Sequence, residues 1–174
     1  MSTISMRGAG YYSANTVGAK TAIDRVGDLV AYDLVKAHFR ALNEIVAAEA
    51  GAVVKTIGDA VMATFPTPDR AVAAALRMRA AMQDLGSDLI LKIGIHEGPC
   101  LAVMLNERQD YFGQTVNIAS RVQGLATSTS IFATGPVVGH VGCARLLEGH
   151  GITPSLKEHS LRGIAAKMAV FEIL

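Results

Sequence analysis

Three short stretches hold the side chains best suited to chemistry. They are Val54-Lys55-Thr56-Ile57-Gly58-Asp59, Lys92-Ile93-Gly94-Ile95-His96-Glu97-Gly98-Pro99, and the run from Gln109-Asp110-Tyr111-Phe112-Gly113 through Thr115-Val116-Asn117 to Arg121. Asp59 falls in a Gly-Asp turn, where a carboxylate projects without entering a core. Lys55 is a donor-only group and Asp110, when ionised, an acceptor-only one. Asn117 and Arg121 are four apart in a helical stretch, so they share one face. Taken singly, each of these is an ordinary solvated residue; together and in this order they ask for a common explanation. Lys92 and Arg162 are cations on predicted strands. His96 has the chemistry of a general base, but a strand histidine of this kind reads as structural. Cys100, Cys143, His140, His150 and His159 show no ligand spacing.

The elements that must position these residues follow from periodicity. Leu29, Tyr32, Val35, Phe39, Leu42 and Ile45 recur at helical spacing, predicting a helix from Asp28 to Ala50 that Gly51 stops. AVVKTI and AVMATF flank Gly58-Asp59 as a hairpin. Asp69 is expected to cap a second helix reaching about Leu85, and LILKIGIH reads as a buried strand whose continuation PCLAVML pairs back as another. Asn106 to Gln114 reads as a polar turn leading into a helix, TVNIASRVQGLA, which Thr115 helps to start. SIFAT, a helical stretch from Val137 to Leu147, and strands near Lys157–Arg162 and at MAVFEIL complete the chain. With a first strand ahead of the first helix, the order is β-α-β-β-α-β: an α+β fold, a ferredoxin-like core sandwich with C-terminal additions. Residues 1–14 form an atypical N-terminal segment and residues 15–174 one domain.

Composition narrows the classes. A chain of 174 residues with 51% apolar content and a mean hydropathy of +0.34 builds one core and has apolar surface left for a buried interface, with a homo-oligomer the first candidate. A net charge of +1 argues against nucleic acid or anionic lipid as the main partner. The most apolar stretch, Ala71 to Met82, is broken by Arg77 and Arg79, so no membrane contact is expected of this segment. Two cysteines and no signal-peptide pattern favour a reducing, cytoplasmic setting.

The strings KTIGD and VNIASR, in this order and separation, resemble the catalytic domains of class III adenylate and guanylate cyclases. The resemblance runs from about Val17 to the closing LRGIAAKMAVFEIL. It implies a head-to-tail homodimer with sites shared between subunits. There a nucleoside triphosphate becomes a 3′,5′-cyclic monophosphate plus pyrophosphate by two-metal phosphoryl transfer, with Mg²⁺ or Mn²⁺, in intracellular signalling. By the same resemblance Asp59 is one of two metal-bridging aspartates. Lys55 and Asp110 read the base: adenine offers an acceptor at N1 and a donor at its exocyclic amine, the complement of a lysine and an aspartate, so ATP is the expected substrate. Asn117 orients the ribose and Arg121, with its planar fork, meets the phosphates in the transition state. Lys92 and Arg162 fall where relatives carry cations that touch the triphosphate.

One position departs from the pattern. NTVGAKT overlays Asp-Ile-x-Gly-Phe-Thr, with Gly18 in the glycine place, so the second metal aspartate is replaced by Asn15. An amide oxygen can ligate Mg²⁺ but brings no charge. Two expectations stand side by side: an adenylate cyclase forming cyclic AMP, and a degenerate cyclase domain that binds nucleotide or a partner as a regulatory dimerisation module. The apolar strand usual before this motif is replaced by GAGYYSAN.

Overall fold

A computed structural model describes residues 4–6, 10–16, 28–57, 60–84, 91–105, 108–126, 130–159 and 168–174. Four strands and two helices form the centre: β2 (Gly10–Thr16), α1 (Asp28–Ala48), β3 (Ala52–Ile57), β4 (Ala60–Phe65), α2 (Pro68–Asp84) and β5 (Leu91–Glu97). In space they run β3-β4-β2-β5, each antiparallel to its neighbours. That is the expected pair of interleaved β-α-β units. β8 (Ile131–Thr134) adds parallel to β5, and β10 (Met168–Ile173) and β9 (Ser155–His159) extend the sheet to seven strands. A short first strand, β1 (Ile4–Met6), pairs with β6 (Cys100–Leu105), which pairs with β7 (Arg108–Phe112) in a separate three-stranded sheet. Helices α3 (Gln114–Gln123), α4 (Gly135–Val138) and α5 (Val141–Gly149) complete the described elements.

Strand alternation divides the large sheet into two faces. Val61, Ala63, Phe65, Ile93, Ile95, Ile131 and Ala133 point to one, where α1, α2 and α5 close the main core with Leu42, Val46, Met78 and Leu147. Met62, Gly94 and Phe132 occupy the alternate positions. Over this second face lie α3 and the β6–β7 hairpin, through Ala102, Tyr111, Ala119, Ile118 and Val122.

Several expectations change in detail. α1 ends at Ala48, and it is Ala50, at φ 56°, that takes the left-handed position. Gly51 N–H then donates to Val46 O and Ala50 N–H to Ala47 O, the paired bonds of a Schellman ending. Gly51 serves close approach instead, since a Cβ there would stand 2.6 Å from the Phe65 ring. Asp69 lies inside the first turn of α2 rather than capping it; its predicted end at Leu85 lies outside the described residues. PCLAVML forms β6 but leaves the large sheet, pairing with β1 and β7 and not with β5. Residues expected as a polar turn form β7. The stretch from Val137 to Leu147 is two helices, α4 and α5, parted at Gly139-His140. GYYSANT, weak as a sequence pattern, is a strand between β4 and β5, laddered on both sides, and it crosses the boundary placed at residue 14.

Candidate active site

Lys55 reaches the second face through an irregularity in β3. Val53 pairs with Ala63, but Lys55 pairs with Met62, so the register shifts by one residue at Val54. Directly paired residues share a face. Val53 therefore packs on the main core beside Ala63, while Lys55 emerges with Met62 beneath the β6–β7 hairpin. An uninterrupted β3 would have set Lys55 opposite Val61, against the helices. Bulges re-aim side chains in this way.

On the hairpin, Asp110 and Phe112 are two apart and share its outer face, while Tyr111 between them is buried. Lys55 Nζ donates to Asp110 Oδ1 at 2.8 Å and to Oδ2 at 2.7 Å. Tyr111 N–H donates to Asp110 Oδ1 at 2.8 Å. Burial pushes the Asp110 carboxyl up, but the hydrogen bonds from Lys55 and Tyr111 N–H and the Lys55 charge outweigh it and hold it below the usual carboxylate range. The Phe112 ring, roughly half exposed, lies with its centroid 5.8 Å from Lys55 Nζ, within cation–π range.

Asn117 and Arg121 stand on the outer side of α3, both exposed, their side chains free of hydrogen bonds and ion pairs among the described residues. α3 lies against the sheet because position 94 is glycine: a Cβ there would come within 2.1 Å of the Gln123 nitrogen. Lys92, two residues before Gly94 and on the same face, is half-buried on β5. Its register partner on β2 is Asn15, and Asn15 pairs on its other side with Ala60, the residue after Asp59. Asp59 and Arg162 lie outside the described residues. Among the described residues no group of three His, Cys, Asp or Glu side chains is arranged to hold a metal ion.

His96 is buried, with Nδ1 2.8 Å from Thr134 Oγ1, and burial lowers its pKa to about 4. It lies beneath α3 as a neutral structural group. Cys100 and Cys143 are free and buried; burial raises both thiols, that of Cys143 to about 12 with help from the Asp69 and Glu97 charges. No helix among the described residues is long and apolar enough to cross a membrane. Phe112, and the hydrogen bond of Thr115 to the β5–β6 link, went unassigned in the sequence. Their partners are distant along the chain, and no local pattern marks either contact.

The family described as the adenylate and guanylate cyclase catalytic domain matches residues 15–141, most of the chain. This chain belongs to that family. It is 30% identical over 141 residues to an adenylate cyclase of Streptomyces griseus, covering 81% of this chain and 33% of that protein. A putative adenylate cyclase of Rhizobium meliloti is 33% identical over 131 residues, covering 71% of this chain and 22% of its own length. An uncharacterised protein of Mycobacterium bovis is 35% identical over 101 residues, 58% of this chain and 26% of that one. The chain thus spans between 22% and 33% of the length of these relatives. Among solved structures, the fold is that of the adenylyl cyclase CyaB from P. aeruginosa, with TM-score 0.84 at 19% identity, covering 100% of this chain and 96% of that one. The guanylate cyclase domain of RhGC from Catenaria anguillulae, solved in complex with GTP, superposes with TM-score 0.82 at 18% identity and 98% coverage of both. As a cyclase catalytic domain, the chain carries its candidate site on the sheet face that α1 and α2 leave free.

Proposed function

We propose that this domain is an adenylate cyclase domain, forming 3′,5′-cyclic AMP and pyrophosphate from ATP at a homodimer interface. The observation that carries the reading is the Lys55–Asp110 pair, a donor beside an acceptor where β3 meets the β6–β7 hairpin. Adenine can take the place of their mutual contact, N1 accepting from Lys55 and the exocyclic amine donating to Asp110. Guanine presents the reverse pattern and leaves buried polar groups unpaired. Named relatives that are adenylate cyclases favour the same substrate.

Asn117 on α3 orients the ribose so that its 3′-oxygen faces the α-phosphorus in line with the leaving pyrophosphate. Arg121, one helical turn on, donates to the phosphoryl oxygens as charge builds there. Lys92 and Arg162 add charge toward the triphosphate. A divalent cation would be held by Asp59 and the Asn15 amide oxygen together with the phosphates, a donor set with one protein carboxylate, within the range Mg²⁺ uses. When bound, Mg²⁺ or Mn²⁺ acidifies the 3′-hydroxyl and neutralises the leaving group. The exposed Leu101 and Phe112, paired across β6 and β7 beside the base-reading residues, favour a second copy of the chain covering this face. A cytoplasmic setting, where ATP is available, goes with the reading.

Asn15 favours a second reading, a nucleotide-binding regulatory module with weak turnover. Purified protein is incubated with ATP and with GTP in Mn²⁺, alongside Asn15→Asp and Asp59→Ala, and cyclic product is measured. Cyclic AMP from the wild type, abolished in Asp59→Ala, supports the enzyme. A silent wild type revived by Asn15→Asp supports the module. A preference for GTP overturns the base-reading assignment, and a strictly monomeric protein at high concentration overturns the shared site.

A further inference from the structure

Asn117 and Arg121 ride on a helix whose start has no side-chain cap. Gly113, at φ 137°, stands in the cap position and contributes no side chain. What holds the first turn of α3 lies in another part of the chain. The Thr115 side chain is turned inward, only 3% exposed, and its hydroxyl donates to the Pro99 carbonyl in the link between β5 and β6, at 2.5 Å. The link is shaped to receive it. A Cβ on Gly98 would stand 2.7 Å from Thr115 Oγ1 and 3.4 Å from His96 Nε2, so any side chain there would displace the threonine. The far end of the helix is located differently, by the close seating of Gln123 on Gly94, which is packing without direction.

We propose that Thr115 is a positioning residue for the reaction: its bond to Pro99 sets the height and rotation of α3, and with them the placement of Asn117 and Arg121. This rests on the cyclase reading above. It also separates two functions of the site. The base-reading pair stands on β3 and β7, so a shift of α3 moves the ribose and phosphate contacts and leaves base recognition in place. The Gly98-Pro99 and Gly113–Thr115 segments, far apart in sequence, then act as the two halves of one clamp.

The test compares Thr115→Val, which keeps shape and loses the hydroxyl, with Thr115→Ser, which keeps the hydroxyl. Cyclase kinetics with ATP and GTP and amide hydrogen exchange across Val116–Ala119 are measured on both. Misplacement of reacting groups by an ångström costs on the order of 10²-fold. We expect Thr115→Val to lower kcat by roughly 10- to 100-fold, with KM for ATP and the preference over GTP unchanged. Exchange in the first turn of α3 should quicken, and Thr115→Ser should restore both. Wild-type turnover in Thr115→Val, a change in KM or base preference with kcat held, or failure of the serine to rescue overturns the proposal. If no variant forms cyclic product, Asn15→Asp included, the cyclase reading falls instead. In that case unchanged exchange in Thr115→Val still overturns the clamp, and faster exchange restored by serine upholds it.

Discussion

Lys55 Nζ sits within 2.8 Å of both carboxylate oxygens of Asp110, and what lets them meet is one extra residue in β3. The register shift at Val54 frees Lys55 from the alternation that sends Val53 into the main core. The hairpin does the rest: Asp110, between the buried Tyr111 and the exposed Gln109, faces out of β7 toward the emerging ammonium. The pair is only part-buried, with 36% of the Lys55 and 16% of the Asp110 side chain exposed, so water competes with it and it contributes modestly to folding. On the proposed reading its importance is in readiness, since a purine edge would replace the mutual bonds of the two groups.

Removing either member should therefore cost activity more than stability. Lys55→Ala and Asp110→Ala each leave a polar partner unmatched against adenine, a loss of about 1–3 kcal/mol. That corresponds to a fall in kcat/KM for ATP of between about 5- and 150-fold. The double variant should lose less than the sum of the two, because each single change already breaks the shared recognition. Kinetics with ATP and GTP on the three variants check this. Strict additivity would mean that the two residues act at separate places.

Arg121 and Asn117 lend themselves to a cleaner separation. Both are exposed on α3 and their side chains make no bond to other described residues, so truncating them should leave the fold untouched. Arg121→Ala should lower kcat by roughly 10²–10³ while the melting temperature stays that of the wild type. Arg121→Lys should recover little, because an ammonium lacks the planar fork. A large thermal shift in Arg121→Ala would show the residue to be structural and remove it from the site.

Much of this architecture was legible from periodicity, and the failures share a physical cause. α1, α2 and the β3–β4 hairpin have one face against a core, so their apolar residues recur at the helical or strand period. β7 does not. Of its residues only Tyr111 is among the buried apolar groups, and Gln109 and Asp110 made it read as a turn. β2 is similarly faint: Gly10–Thr16 is held by backbone ladders on both sides, and ladders leave no signature in side-chain type. Strict alternation would also have put Lys55 on the wrong face, since a bulge is invisible to a period-two pattern. The residue types and their order singled out Lys55 and Asp110 as a pair, and the two do meet; what brings them together is a bulge and a hairpin that no local pattern encodes.

Ala50 offers a test of backbone strain away from the site. At φ 56° it occupies a region that costs a residue with a Cβ about 1 kcal/mol or more. The Schellman bonds around it are already in place, so Ala50→Gly relieves the strain without changing a contact. Chemical denaturation should show a gain of about 1 kcal/mol, less the larger chain entropy of glycine when unfolded. Gly51→Ala should do the opposite, since its Cβ meets the Phe65 ring and the Thr64 carbonyl at 2.6 and 2.9 Å. Two neighbouring substitutions of opposite sign would identify which residue ends α1.

Two buried histidines give the fold a pH dependence whose sign is determined. His38 on α1 is 1% exposed, its Nδ1 is 2.9 Å from Met82 Sδ on α2, and its Nε2 has no hydrogen-bond partner among the described residues. Burial lowers its pKa from 6.5 to about 4, as it does for His96. Between those values the unfolded chain binds protons that the native state refuses. Stability is thus fully present above pH 6.5 and drains away as pH falls toward 4, where the native side chains protonate too. At pH 5 each histidine accounts for a loss on the order of 2 kcal/mol. Urea titrations at pH 7.5 and pH 5 should show the fall, and His38→Leu should remove about half of the histidine contribution. A His38→Leu variant whose stability falls between these pH values as steeply as that of the wild type would mean that His38 is protonated in the native state. The unpartnered Nε2 against the α1–α2 contact would then need another account.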